Sequence, residues 1–131
     1  MKAEILLFEV DPVTEKRIVN TVKPMMISVR TVKPEDHDRR LCEICGVPAM
    51  SASGHRRKED PGPVSAPMML FAAIPDGLLF VILDRLKQNS VSISHKAAVT
   101  PTNLDWTPRE LFAEIDREIS ALRQRRKPPK E

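Results

Sequence analysis

Between Lys33 and Pro67 the chain nearly runs out of core-forming side chains, and this gap limits what the remainder can fold into. The segment holds five of the twelve prolines, three of the four glycines and twelve charged residues. Against these stand only Leu41, Ile44, Val47 and Val64 from the Leu/Ile/Val/Phe set. Such a stretch buries too little apolar surface to offset its own ordering entropy. It separates two apolar blocks that must pack on each other. The gap itself is then a long loop, or a segment organised by something other than a hydrophobic core. At 131 residues the whole suits one small domain, 1–127, followed by a short tail end, 128–131.

In the first block, residues 3–10 are rich in Ile, Leu, Phe and Val and read as a buried strand. Asp11-Pro12 reads as a turn. Arg17–Val22 and Met25–Val32 read as further strands, the second because Met25, Ile27 and Val29 alternate with Met26, Ser28 and Arg30. With strands so placed, the linkers are too short for crossover helices, and an antiparallel meander is the expected connection.

In the second block, Met68–Ile74 reads as a strand and Pro75-Asp76-Gly77 as a turn. Residues 78–88 fit either a strand or a helical stripe of Leu79, Ile82, Leu83 and Leu86. A run of about twelve residues favours the helix. Ser90–Ser94 alternates again, with Val91 and Ile93 on one face. Thr107-Pro108-Arg109-Glu110 is a capping box with proline at the first helical position. Leu111, Ile115, Ile119 and Leu122 follow at helical spacing, so a helix over 108–126 is predicted, with Trp106 stapling its start. The letters show no internal repeat. The expected fold class is α+β: a small antiparallel sheet packed against a long C-terminal helix, with a long Pro/Gly/charge-rich loop in the middle.

The candidate chemistry lies inside the gap. Cys42 and Cys45 form a Cys-x-x-Cys pair followed by Gly46, flanked by His37 and His55. Two thiolates and two imidazoles make a tetrahedral zinc set, and a bound metal would supply the folding free energy that the gap lacks. His37, Cys42, Cys45 and His55 are therefore the candidate ligands of one zinc ion, the alternative being two ordinary reduced thiols. The string Leu41–Ala49 resembles the opening knuckle of metal-stapled nuclease domains of the His-Asn-His type. The adjacent His pair and second Cys pair of those domains are missing here, so no family is assigned. Ser90, Ser92, Ser94 and His95 read as the polar face of a strand. No glycine-rich phosphate loop is present, and no catalytic residue is assigned.

The formal charge of +3 is unevenly placed. Residues 121–131 carry +4, and the preceding 120 residues carry −1. Arg123, Arg125, Arg126 and Lys127 are thus the candidate partner-binding residues. The N-terminus lacks the apolar core of a secretory signal, and no stretch approaches the roughly 20 apolar residues of a spanning helix. Reduced cysteines without a signal point to the cytoplasm. The expected function is a small non-catalytic interaction protein, a regulator, adaptor or inhibitor that binds another macromolecule or protein complex without a membrane. The alternatives are a zinc-stabilised nucleic-acid-binding module acting through the basic tail, and a small metal- or thiol-dependent enzyme.

Overall fold

The computed structural model describes residues 2–48 and 60–126. Two strands lie at the centre of a four-stranded sheet: β1 (Glu4–Phe8) and β3 (Met68–Ala72). They run antiparallel, with Leu6 opposite Leu70 and Phe8 opposite Met68. Every residue of both strands is buried, which is why each reads as a continuous apolar run rather than an alternating one. The outer strands β2 (Ser28–Thr31) and β4 (His95–Ala98) pair in parallel with β1 and β3 respectively. The sheet order is β2-β1-β3-β4.

Four helices cover it. α1 (Pro12–Val22) and α3 (Asp76–Gln88) cross from β1 to β2 and from β3 to β4. The short α2 (Leu41–Ile44) and the long α4 (Pro108–Arg126) follow β2 and β4. The pleat divides the core into two layers. Leu6, Phe8, Met68 and Leu70 pack with Leu41, Ile44, Val64, Leu111, Phe112 and Ile115. Ile5, Leu7, Met69 and Phe71 face the other way, onto Ile18, Val22, Ile82 and Leu86.

The α+β class and the C-terminal helix are as expected, and 78–88 is a helix, which begins two residues earlier at Asp76, inside the expected turn. The sheet is antiparallel only at its centre and parallel at both flanks. The cause is a crossover helix on each side: α3 between β3 and β4, and α1, which occupies the stretch expected to be a strand at 17–22. Asp11 is the N-cap, its Oδ2 accepting from the Thr14 amide at 3.0 Å, and Pro12 takes the first helical position. Ile18 and Val22 then point one turn apart into the core. The β-branched residues that read as strand are packed as helix, because burial outweighs a propensity difference of a few tenths of a kcal/mol. The helix fits because the whole stretch between Phe8 and Ser28 is available for a crossover. The alternating run at Ser90–Ser94 is extended chain leading into β4, with Val91 and Ile93 buried.

The molecule contains a repeat that its letters hide. A constant shift of 64 residues carries β1 onto β3, and Pro12, which opens α1, onto Asp76, which opens α3. The same shift carries Glu9, with φ 55°, onto Ala73, with φ 55°. It also carries Met26, with φ 58°, onto Ser90, with φ 62°. Buried Ile18 and Val22 map onto buried Ile82 and Leu86. Three residues are then inserted, and a shift of 67 carries β2 onto β4 and Leu41 of α2 onto Pro108 of α4. Val32 and Val99 donate their amides to the Leu7 and Phe71 carbonyls, both at 2.8 Å, and those acceptors are again 64 residues apart. The fold is a βαβα unit used twice about the central antiparallel pair. The second copy ends in a full helix and the first in a single turn.

Apart from a short 3-10 turn (Pro34–Asp36) and α2, the described residues of the gap are loop as expected, and this loop is tied down on the sheet. Leu41, Cys42, Ile44 and Val64 are buried, so the few apolar residues of 33–67 are spent on one face of the sheet. The α2 amides of Leu41 and Cys42 donate to the Trp106 and Leu104 carbonyls, both at 2.8 Å. Arg40 pairs with Asp105 at 3.4 Å beside them. Arg109 ties both sides of the gap to α4. It donates to the Gly62 carbonyl at 2.7 Å and to Asp38 at 2.8 Å, and it bonds Asp60 as well.

Candidate functional site

Three of the four proposed zinc ligands lie among the described residues. Cys42 is fully buried in α2, and Cys45 follows as its half-buried C-cap. Both thiols are free. His37 is buried, with its ring 5.6 Å from that of Phe8, and its Nε2 has no hydrogen-bond partner among the described residues. No group of three or more His, Cys, Asp or Glu side chains stands close enough to hold a metal ion among the described residues. His55 lies outside them.

What surrounds Cys45 is an ion pair. Glu4 begins β1 and is buried, and Arg30 of β2 reaches it at 2.9 Å. The same Nη2 donates to the Ile44 carbonyl at 2.6 Å, next to Cys45. Burial pushes the Cys45 thiol above its ordinary range, and the Glu4 carboxylate pushes it further. A thiol so held stays protonated at neutral pH.

The basic residues predicted as a partner site sit at the end of α4. Arg123 and Arg125 are exposed there, and Lys127 lies outside the described residues. Arg126 closes the helix. At the other end of α4 the capping box forms as read. The Glu110 amide donates to Thr107 Oγ1 at 3.2 Å, and the Thr107 amide to Glu110 Oε1 at 3.0 Å. Trp106 is half-buried against the apolar layer beneath. A cleft of about 620 Å³ runs between this half of α4 and the 60–65 segment, with Trp106, Pro61, Glu110, Glu114 and Arg117 in its walls. His95 Nε2 meets Asp116 at 2.9 Å, and its ring stacks on Phe112 with centroids 4.4 Å apart.

The surface that sequence reasoning missed is on α3. A helix lying on a sheet needs a polar outer face. Here Phe80 is 74% exposed and Val81 44% exposed. The repeat provides an internal control. A shift of 64 places Lys16 and Arg17 of α1 where α3 has Phe80 and Val81, and both of these are exposed too. The fold therefore accepts charged residues at this place and does not require the apolar pair. Beside Phe80 a cleft of about 780 Å³ opens over Met69, Leu83, Val91 and Ile93, with Asp84, Lys87 and Lys96 as its charged wall residues. The available signal was the unbroken apolar run Leu78–Leu83, which is apolar all the way round once it is read as a helix.

A family model described as a domain of unknown function (DUF3783) matches residues 67–122. That segment is the second copy of the βαβα unit, β3 to α4, and it contains the whole α3 cleft. No curated protein and no solved structure matches the chain. No described helix is long and apolar enough to cross a membrane.

Proposed function

We propose that this chain is a small non-catalytic interaction protein, a regulator or adaptor, which binds another protein through the outer face of α3. One observation carries the reading: Phe80 and Val81 are exposed where the equivalent residues of the same fold unit are Lys16 and Arg17. An exposed phenyl ring contributes nothing to folding that a lysine would not. It contributes to association, where aromatic anchors surrounded by a drier rim carry most of the binding energy. The cleft beside it accepts an apolar side chain, and Lys87 and Lys96 favour acidic groups on the same partner segment.

The repeat also supplies the test, because F80K and V81R copy residues that the fold already tolerates at the equivalent positions. Peptides are selected from a displayed library on the immobilised wild-type chain and then measured on the F80K/V81R variant. Loss of about 30-fold or more in affinity supports the reading, as expected for a hot-spot pair. Selected peptides that bind both chains equally would place the interaction elsewhere and end it.

A further inference from the structure

Among the described residues, the second half of α4 is largely uncovered. Leu111 and Ile115 are buried on the sheet, and the same stripe then runs out to half-buried Ile119 and to Leu122, which is 52% exposed. Apart from Ile119, every described side chain from Asp116 to Arg125 is exposed. The helix continues for about 15 Å beyond Asp116 at 1.5 Å per residue. Free helix ends of this kind fray in water unless tertiary packing holds them.

The charges along α4 are sorted by position. Glu110, Glu114, Asp116 and Glu118 lie in its first two thirds together with Arg109 and Arg117, a net charge of −2, and Arg123, Arg125 and Arg126 give its end +3. The helix dipole accounts for charges in the first and last turns only. It does not account for Glu118 in the middle, while Asp116 beside it meets His95 of its own chain. A helix net acidic over one part and net basic over the other is complementary to itself when two copies run antiparallel. A two-fold arrangement makes every such contact twice.

We propose that α4 is the contact surface for a second copy of this chain, paired antiparallel about a point near Glu118. This surface is separate from α3 and does not depend on it. The pairing sets Glu110 and Glu114 of one copy against the 122–126 stretch of the other. Leu122 and Ile119 close against each other's helix, and the projecting end enters the cleft beside Trp106. Opposite net charges face each other toward both ends of the contact, with Glu118 meeting its own copy at the two-fold, whereas a parallel pairing would set ends of like net charge together.

Charge exchange decides it. Sedimentation equilibrium is run on the full chain and on E114R, R123E and the double variant E114R/R123E, at about 50 mM and about 0.5 M salt. Wild type is expected to dimerise, with the dimer weaker at high salt. Each single reversal weakens the dimer about tenfold or more, and the double variant restores it. Far-UV circular dichroism confirms that each variant keeps its helices, and Trp106, the single tryptophan, reports dimerisation through its emission. A wild-type chain that stays monomeric at low salt up to about 1 mM overturns the proposal, since contacts weaker than that supply under about 4 kcal/mol. So does a double variant no tighter than either single one.

Discussion

Ile18 and Ile82 hold the same place in two copies of one unit, each fully buried between its own helix and the central strand pair. Because the two sites are equivalent, truncation should cost similar amounts. I18A and I82A are each expected to lower stability by about 2–5 kcal/mol, read as a shift in urea midpoint at constant slope. A large effect at one site and almost none at the other would mean that the two halves do not share one cooperative core.

Glu4 is the one buried carboxylate of the central strand, and Arg30 is its partner. Replacing Arg30 by Met leaves Glu4 without its charged donor and frees the Ile44 carbonyl as well. Arg30 is itself 46% exposed, so solvent screens part of the loss. The expected cost is about 1–3 kcal/mol. E4Q/R30M should be less damaging than R30M alone, because it removes the stranded charge. Thermal melts of the wild type and the two variants check this.

Cys45 gives the protein an alkaline limit. Its thiol is raised above the ordinary value of 9.0 by burial and by Glu4. The folded chain therefore holds the proton more tightly than the unfolded chain. That contribution is complete below about pH 9 and is lost as the pH climbs above it. The wild-type melting temperature should fall above that range, and C45A should flatten the fall. A thiol reagent at neutral pH should label both cysteines far faster in denaturant than in the native state, since Cys42 is fully buried.

The two helix starts respond differently to acid. Asp11 caps α1, and its bond to Thr14 holds its carboxyl below the usual value of 3.8. Its contribution is present above that value and disappears as the pH falls through the lowered one. Thr107 caps α4 without an ionisable group, and T107A should cost about 0.5–2 kcal/mol at any pH where Glu110 is charged. Melting D11N and T107A across pH 2.5–7 separates the two. The gap between wild type and D11N should shrink toward low pH.

The parts of this fold that could be read in the letters are those with a local cause. The α4 cap and stripe, the central strands and the placement of Cys42 and Cys45 in one segment all depend on neighbours a few residues away. What was missed depends on tertiary context. Ile18, Val19 and Val22 are β-branched and read as strand, yet a sheet face decides their conformation. The repeat was invisible because its halves share positions rather than letters: Lys16 answers to Phe80 and Arg17 to Val81. The sparse apolar residues of 33–67 looked insufficient for a core, but they did not need to form one. Leu41, Ile44 and Val64 join a layer that the two blocks already provide. Cys45 sits beside Glu4 and Arg30, which lie in strands more than ten residues upstream, and no spacing rule could place them there.

The central claim is that the outer face of α3 serves binding and not folding. Titration calorimetry of a selected peptide against wild type and F80K/V81R, with the melting temperature of each chain measured alongside, tests it most directly. The account predicts a Kd weakened about 30-fold or more with stability unchanged within about 0.5 kcal/mol. An unchanged Kd, or a variant that loses stability in step with affinity, would contradict it.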